Sequence, residues 1–221
     1  MNINGVQKRF FAWGMSKANS EKIGDIQLKN HPEYQKFADL KQSILGDLSG
    51  KVLEIGAGAG ANFAYYPKTI NWLGIEPNLF MFPYLKEEAK KQGINSWELH
   101  QGYAENLPIP DHTIDTVVST HVLCSVQDVE ISLKEIYRVL KPNSKFIFLE
   151  HIGSDLGTMN RYIQTIIDPI WQKIFDNCHL QRNPEQLLKK VGFTNIKYSY
   201  FQLPVPIVSP HVVGVAYKLN I

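Results

Sequence analysis

The sequence predicts an α/β fold, a Rossmann-like, doubly wound sheet of seven mostly parallel strands with an N-terminal helical cap. Short apolar runs alternate with helical stretches between Lys51 and Glu150, which is typical of a parallel sheet covered on both faces. A glycine-rich turn follows the first of these runs. Two further β-rich segments near the end of the chain bring the predicted sheet to seven strands.

Length and composition place the chain among single-domain globular proteins. Its 221 residues are 44% apolar and 20% charged, a balance that allows one well-packed core. We divide the chain into a helical cap, residues 1–48, and a main α/β domain, residues 49–221. The net charge of +2 and the lack of a Lys/Arg run argue against nucleic acid as a partner. The oligomeric state stays open.

The two cysteines, Cys124 and Cys178, are too few and too far apart in sequence for a disulfide framework or a zinc cluster. We therefore predict no metal site and a reducing compartment. Residues 1–30 contain no uninterrupted apolar run, which predicts neither a signal peptide nor a transmembrane span. The expected location is the cytoplasm, with peripheral membrane contact left open.

Each element is predicted from its own pattern. The cap is predicted from an aromatic and basic run, 8–13, and from a helical pattern over 34–45. The predicted strands are 52–55, 72–75, 97–99, 116–119, 146–149, 195–201 and 212–218. The predicted helices of the main domain are 79–91, 129–140, 162–175 and 184–191, the last of which ends at Gly192.

The glycine-rich segment 54–62 lies between the first predicted strand and a predicted helix. Its glycines allow a tight turn and close approach of a ligand to the backbone, and a helix N-terminus would offer free N–H groups. The pattern Gly56-x-Gly58-x-x-Ala61 also satisfies the dinucleotide fingerprint. The loop alone therefore predicts a nucleotide-like ligand without choosing between cofactors.

Two carboxylates accompany this loop. Glu54 lies two residues before the first glycine on an otherwise apolar strand, where burial is costly unless the carboxylate has hydrogen-bond partners. It either anchors the loop or faces the amino-acid portion of the ligand. Glu76 follows the second strand, where a carboxylate can accept hydrogen bonds from both ribose hydroxyls of S-adenosylmethionine or NAD. The alternative for Glu76 is a solvated charge at a strand end.

A third element, the segment 102–118, completes a known series. Together with segment 54–60 and Glu76-Pro77-Asn78, it resembles the class I S-adenosylmethionine-dependent methyltransferases over residues 50–150. The resemblance implies S-adenosylmethionine as cofactor and S-adenosylhomocysteine as product. The cofactor contacts that it implies are Glu54, Gly56, Ala57, Gly58, Gly60, Asn62, Glu76, Pro77, Asn78, Gly102, Ala104, Glu105, Thr120 and His121. In that class the residues matching Ala104 and Glu105 border the adenine.

One turn departs from the class pattern. The helix-to-strand turn 136–144 normally ends in Pro-Gly-Gly, and here Asn143 and Ser144 replace both glycines. Because asparagine tolerates the left-handed conformation, we expect the turn to persist with a local change.

A closer resemblance extends over residues 50–218. It is carried by Gly60-Ala61-Asn62-Phe63, Val122-Leu123-Cys124-Ser125-Val126, Glu150-His151, Asp168-Pro169-x-Trp171, Phe175-Asp176-x-Cys178 and Pro210-His211-x-x-Gly214. Together these segments resemble the methyltransferase-like family 7, whose animal members are alkyl-thiol S-methyltransferases. The animal proteins carry a hydrophobic membrane anchor at the N-terminus, which this sequence does not show. The resemblance implies a small, hydrophobic thiol as acceptor.

Two histidines are the candidate catalytic residues. A thiol reacts as its thiolate, so a base such as histidine would help methyl transfer. His121 and His151 follow the fourth and fifth predicted strands, at the edge where open α/β sheets bind ligands. We favour His151 slightly, and a structural role is the alternative for each. Weaker candidates are Asp168, Asp176 and His211, and we interpret Cys124 and Cys178 as packing residues.

An apolar stripe at helical spacing comprises Ile163, Ile166, Ile167, Ile170, Trp171 and Ile174, with a kink expected at Pro169. Such a stripe usually belongs to the core. The alternative is one wall of an apolar acceptor pocket, with Phe10, Phe11 and Trp13 closing over the other side.

We therefore predict an S-adenosylmethionine-dependent methyltransferase that acts on a small, hydrophobic acceptor, with a thiol favoured. An O- or N-methyltransferase acting on a small molecule, lipid headgroup or peptide end stays open, as do an NAD-dependent oxidoreductase and a noncatalytic cofactor-binding protein. Fold and cofactor motifs do not identify an acceptor.

Overall fold

The computed structural model describes residues 3–18 and 25–219, and a seven-stranded sheet forms its centre. The strands are β1 (Lys51–Ile55), β2 (Asn71–Glu76), β3 (Ser96–Gln101), β4 (Ile114–Thr120), β5 (Leu140–His151), β6 (Thr194–Gln202) and β7 (Pro210–Tyr217). Their order is β3-β2-β1-β4-β5-β7-β6. Strands β1 to β5 are parallel, whereas β7 runs antiparallel between β5 and β6. The predicted seven-stranded, mostly parallel sheet is confirmed.

Within the described residues, six α-helices accompany the sheet: α1 (Ile3–Ala18), α2 (Phe37–Leu45), α3 (Phe82–Lys91), α4 (Val129–Val139), α5 (Met159–Ile174) and α6 (Leu188–Val191). Side chains cap two of them, since Asp128 accepts from the N–H of Ile131 and Thr158 accepts from that of Arg161. Gly192, with φ of 112°, ends α6 at the predicted residue. None of the helices in the described part of the chain is long and apolar enough to cross a membrane.

Alternation along β1 divides the core between the two faces of the sheet. Leu53 and Ile55 pack into one cluster with α4, and Val52 packs into a second cluster with Phe63 and Trp72. Glu54 shares the side of Val52, so its carboxylate is directed into the second cluster. Burial on both faces explains why β1 reads as an apolar run interrupted by a single charge.

The prediction of a regular helix directly after the glycine loop is wrong. Residues 61–65 form consecutive turns, in which Phe63 N–H donates to Gly60 O and Tyr65 N–H donates to Asn62 O. Pro67 stops any helical continuation, because it lacks an N–H. The departure at the later turn follows expectation, since Asn143 adopts a left-handed φ of 61°.

The apolar stripe of α5 is not part of the core. The helix continues through Pro169, and Ile166 and Ile170 remain 58% and 64% exposed. The residue of α5 that is fully buried is Gln164, whose amide bonds the backbone of Ser154 and Ile207. Hydrogen bonds, including those of Gln164, therefore tie α5 to the rest of the domain.

Candidate active site

The predicted site residues meet where β1, β4 and β5 end. From β1 the chain adds β2 and β3 on one side of the sheet, and then β4 and β5 on the other side. Open α/β sheets bind ligands at the position where the strand order changes side in this way. Gly56 follows β1, Thr120 ends β4 and is followed by His121, and His151 ends β5. The sheet thus gathers residues from three separate segments at one edge.

The three loop glycines have left-handed φ values for different reasons. A Cβ on Gly56 would lie 2.5 Å from Val122, and a Cβ on Gly60 would lie 2.7 Å from the Phe63 ring, so both glycines allow close packing. A Cβ on Gly58 would meet only the Gly56 carbonyl oxygen, at 3.9 Å. Gly58 therefore borders open space, into which a ligand could pack against the bare backbone.

Glu54 anchors the loop rather than facing the ligand space. Its carboxylate accepts hydrogen bonds from Asn62 Nδ2 at 2.7 Å, Trp72 Nε1 at 2.9 Å and Tyr66 Oη at 3.0 Å. Burial raises the pKa of Glu54, while these three donors act in the opposite direction. Of the two roles predicted for Glu54, its contacts support the anchoring one.

The Glu54 contact leaves Asn62 with an unusual amide. Its Nδ2 bridges Glu54 and Thr120 Oγ1, the latter at 3.1 Å. Its Oδ1 is buried and has no hydrogen-bond partner among the described residues. A buried acceptor without a donor costs about 1–3 kcal/mol, so Oδ1 presents a ready position for an N–H or ammonium group of a ligand.

Glu76 connects the glycine loop to the segment after β2. Its two oxygens accept from the N–H groups of Gly58 and Asn78, both at 2.8 Å. Burial raises the pKa of Glu76 to about 7, against the effect of these two backbone donors. Asn78 in turn donates from Nδ2 to Lys8 O of α1, and Pro77 lies between the two anchored residues.

The third motif packs beside this edge with its acidic side chain already engaged. Ala104 is buried in the core cluster below β2, and Gly102 packs close to Ile75. Glu105 accepts hydrogen bonds from the N–H groups of Gln127, at 2.5 Å, and Asp128, at 3.3 Å. In this structure Glu105 therefore holds the start of α4, a role that its position in the motif does not predict.

Helix α1 lies across the loops that carry these residues. Ala12 is fully buried against Ala59 and Met81, with Phe11 packed at the edge of the same cluster. The side chain of Gln7 also bonds the Lys173 carbonyl of α5. Phe10 and Trp13 face outward and are 70% and 50% exposed. Of the three aromatic residues predicted to close the site, only Phe11 turns inward.

Histidines crowd the ends of β4 and β5. His121 has a left-handed φ of 56°, a strained value for this residue type, and its ring centroid lies 5.1 Å from that of His211. His211 is opposite His151 in the β5–β7 register and stacks on Phe201. Burial lowers the pKa of His211 to about 4. His211 is therefore a neutral residue of the cleft at physiological pH.

The two candidate bases have different environments. His121 retains solvent-exposed surface, although the atoms packed around its ring and the neighbouring His211 and His151 hold its pKa below the ordinary value. Solvent at the exposed surface of His121 moderates this shift. His151 is buried, and its Nε2 lies 3.0 Å from Cys178 Sγ.

The cysteines that are distant in sequence are neighbours in the fold. Cys124 Sγ, His151 Nε2 and Cys178 Sγ all lie within 4.8 Å of one another. The hydrogen bond from Cys124, together with that from His151, holds the pKa of Cys178 below its ordinary value. Their separation in sequence therefore does not keep these side chains apart, because the segments after β4 and after α5 meet at the end of β5.

Of the weaker candidates, Asp168 has a positioning role. Its Oδ1 accepts from Leu180 N–H at 2.7 Å, and its Oδ2 accepts from Gln172 Nε2 at 2.7 Å. Asp176 occupies a left-handed position, with φ of 47°, two residues before Cys178. Both residues thus shape the loop that carries Cys178.

Lys41 contacts the glycine loop of the candidate site, and no sequence pattern predicted this contact. It is buried, donates from Nζ to Ala61 O at 3.1 Å, and lies 4.6 Å from the centre of the Tyr65 ring. Burial lowers the pKa of Lys41 to about 8, and the charge of Glu54 opposes this. Its position in α2, outside every recognised motif, offered no signal of a contact with the glycine loop.

A groove elsewhere on the molecule has no connection to this edge. It encloses about 390 Å³ between α2 and strands β5 to β7, and its lining includes Ile44, Lys145 and Tyr198. None of its lining residues belongs to the glycine loop or to the strand ends described above. The convergence of polar groups, rather than the size of the groove, identifies the candidate site.

Comparison with known proteins places these features in a family. The methyltransferase domain family matches residues 53–148. The human thiol S-methyltransferase TMT1A is 34% identical over 196 residues, which cover 83% of this chain and 80% of that protein. Rat thiol S-methyltransferase TMT1B is 31% identical over 220 residues, covering 96% and 88%. A phosphatidylethanolamine N-methyltransferase of Cereibacter sphaeroides is 30% identical over 160 residues, covering 72% and 74%.

A solved structure supports the same fold. The YcgJ protein of Bacillus subtilis superposes with a TM-score of 0.63 at 16% identity, covering 83% of this chain and 97% of that one. At this identity the likeness bears on the fold alone. The doubly wound architecture predicted from the sequence therefore agrees with a known structure.

Proposed function

We propose that this chain, which belongs to the family of the thiol S-methyltransferases TMT1A and TMT1B, methylates the sulfur of a small, hydrophobic thiol. It is an S-adenosylmethionine-dependent methyltransferase, and this family membership outweighs the oxidoreductase alternative that the glycine loop left open. The acceptor, the site residues and the lid are parts of the proposal.

The residues at the strand ends fit S-adenosylmethionine. The unpartnered Asn62 Oδ1 suits the ammonium group of the methionine portion, because that group supplies the missing donor. Glu76 has lone pairs left for ribose hydroxyls beyond its two backbone hydrogen bonds. The open space beside Gly58 suits a ligand that packs against the loop backbone.

Helix α1 acts as a lid over this cofactor position. It rests on Ala59 through Ala12 and is tied to Asn78 through the Lys8 carbonyl. Both contacts involve the loops that would hold the cofactor, so we expect α1 to move when the cofactor enters. Closure of such a lid excludes water from the reacting groups.

His121 accepts the proton of the acceptor thiol. It lies directly after Thr120, which contacts Asn62, and it keeps accessible surface, whereas Nε2 of His151 is engaged by Cys178. S-adenosylmethionine supplies an electrophilic methyl group on sulfonium. In the reaction the thiol proton moves to His121, the thiol sulfur forms the new bond to the methyl carbon, and the bond from that carbon to the sulfonium sulfur breaks.

The observation that carries this proposal is the accessible His121 next to Thr120 and Asn62, in a chain whose relatives are thiol methyltransferases. The test is a release assay for S-adenosylhomocysteine with alkyl thiols, phenols, amines and lipid headgroups as acceptors, and with a cofactor-only control. Turnover confined to thiols supports the proposal. Cofactor binding without turnover on any acceptor favours the noncatalytic alternative instead.

A second candidate is N-methylation of a lipid amine headgroup. The relative from Cereibacter sphaeroides acts on phosphatidylethanolamine by name. Exposed apolar side chains of α1 and α5, such as Phe10 and Ile170, lie on the two helices joined by the Gln7–Lys173 contact. Turnover on phosphatidylethanolamine vesicles, with none on soluble thiols, would select this candidate.

A further inference from the structure

We propose that Cys124, His151 and Cys178 form a zinc-binding site. The three donor atoms, two Sγ and one Nε2, lie within 4.8 Å of one another, with Cys124 and His151 buried and Cys178 9% exposed. They come from the segment after β4, the end of β5 and the loop after α5. This site is separate from the residues assigned above to the cofactor and to the thiol proton.

The arrangement suits the dimensions of a zinc centre. Zinc binds thiolate sulfur at about 2.3 Å and imidazole nitrogen at about 2.0–2.1 Å, so tetrahedral donors lie about 3.5–3.8 Å apart. The His151–Cys178 distance of 3.0 Å would have to open by about half an ångström to reach that geometry. Nδ1 of His151 has no hydrogen-bond partner among the described residues, so it can carry the ring proton and leave Nε2 to bind zinc.

Hydrogen bonds from Arg182 and His179 hold the loop of Cys178 against that of Cys124. Arg182 Nη1 donates to the carbonyl oxygens of Leu123, Cys124 and Val126, at 3.1, 3.0 and 2.6 Å. The N–H of His179 donates to Cys124 O at 2.8 Å. Asp176 and Asn177 both adopt left-handed φ values, 47° and 64°, directly before Cys178. Aspartate and asparagine tolerate this conformation, so these two residues allow the chain to turn directly before Cys178.

The donor chemistry favours zinc over a hard cation. Two thiolates and one imidazole are soft or borderline ligands, which select zinc rather than magnesium or calcium. Zinc binds both cysteines as thiolates, and two thiolates neutralise the charge of Zn²⁺, so the buried centre carries no net charge. The metal would connect three segments that are distant in sequence, and its fourth position would take a water molecule or another external donor.

The test measures metal binding by the full-length protein, purified under reducing conditions and stripped of metal. Zinc is titrated in competition with a chromophoric chelator, and cobalt is added separately as a spectroscopic probe. We expect one equivalent of zinc per chain, and for cobalt the strong visible bands of tetrahedral geometry with a thiolate charge-transfer band. Cys178→Ser and His151→Gln should each weaken zinc binding by about 100-fold or more. His179→Gln, next to Cys178 but outside the donor set, should leave it unchanged.

Three results would overturn the proposal. They are the lack of stoichiometric binding, binding that survives both ligand substitutions, and a Cys124–Cys178 disulfide with no zinc in protein isolated without reductant. Near-ultraviolet circular dichroism shows whether each variant is folded. If a variant misfolds, the cobalt spectrum of the original protein still tests the proposal. Because none of these measurements requires methyl transfer, this proposal and the proposed thiol reaction can fail separately.

Discussion

Asn62 donates from Nδ2 to Glu54 Oε1 at 2.7 Å, and this contact orients an amide whose own Oδ1 is buried without a partner. Glu54 thereby acts on the candidate site through Asn62. The acidic residue before the glycine loop is a positioning residue here, and the following asparagine presents the free polar atom.

Asn62→Ala should weaken S-adenosylhomocysteine binding by about 1–3 kcal/mol, because it removes the acceptor proposed for the ligand's ammonium group. Isothermal titration calorimetry measures the change. Asn71→Ala, an exposed asparagine at the start of β2, is the control and should bind like the original protein. Equal affinity in both variants would remove Asn62 from the cofactor site.

Glu76→Ala should also weaken S-adenosylhomocysteine binding by about 1–3 kcal/mol, since it removes the ribose acceptor and frees two backbone N–H groups. Calorimetry at pH 8, where the carboxylate is ionised, is the measurement. Glu98→Ala on the neighbouring strand changes an exposed carboxylate and serves as the control. An unchanged dissociation constant contradicts the assignment of Glu76 to the ribose.

Glu76 should make the ligand-free protein less stable as pH rises from about 4.5 to about 7. Its pKa is raised to about 7 in the fold, so in this window the folded state holds a proton that the unfolded state has lost. Stability therefore falls with pH across the window and levels off above it. A carboxylate whose pKa is lowered on folding would instead make stability rise with pH.

Urea unfolding of the original protein and Glu76→Gln over this pH range tests the effect. The free energy of unfolding of the original protein should fall relative to that of the variant by about 3 kcal/mol, from a shift of about 2.5 pKa units. Glu54 is present in both proteins, so its raised pKa cancels in the difference. Parallel pH curves for the two proteins would show that Glu76 ionises normally.

His121→Gln should lower kcat/KM by about 100-fold for alkyl thiols and much less for acidic aryl thiols. Aryl thiols are already ionised at neutral pH and need no base, whereas alkyl thiols do. Initial rates across a series of thiols of increasing pKa give the comparison, with the exposed His100→Gln as control. A uniform loss across the series would assign His121 to acceptor positioning instead of proton transfer.

Ala12→Glu should displace α1, because Ala12 is fully buried against Ala59 and Met81. We expect S-adenosylhomocysteine affinity to fall by about 10-fold, or about 1.4 kcal/mol. Trypsin should also cut sooner after Lys8 and Arg9. Met15→Glu changes an exposed residue of the same helix and should have neither effect. Retained affinity with rapid cleavage would separate α1 from cofactor binding.

Most of the fold could be predicted from local pattern. Each of the seven predicted strands lies within an observed strand or overlaps it, since apolar runs between turn residues mark buried strands of a parallel sheet. Gly192 ends its helix at the predicted residue. Asn143, which replaces a glycine of the turn, takes the left-handed conformation expected there. The helix expected after the glycine loop does not form, because Pro67 stops it within about one turn.

The candidate site could be predicted only in part. The glycine loop, Glu76, His121 after β4 and His151 at the end of β5 could be predicted as site residues from their positions at strand ends. The outward exposure of the α5 stripe could not be predicted, because the spacing of isoleucines shows that they share a face and not what covers that face. Lys41 and Glu105 were missed or given another role, since their partners lie at least 20 residues away along the chain.

By itself the sequence determined the succession of strands and helices along the chain, the tight turn at the glycines and the family to which the chain belongs. Periodicity, turn chemistry and motif spacing are local properties, so they can be read from the sequence. Only the tertiary structure decided that Glu54 turns toward Asn62, that α1 rests on Ala59, and that Cys124, His151 and Cys178 meet. Each of these contacts joins segments whose relative position depends on how whole elements pack. No local sequence pattern encodes the distance between such segments.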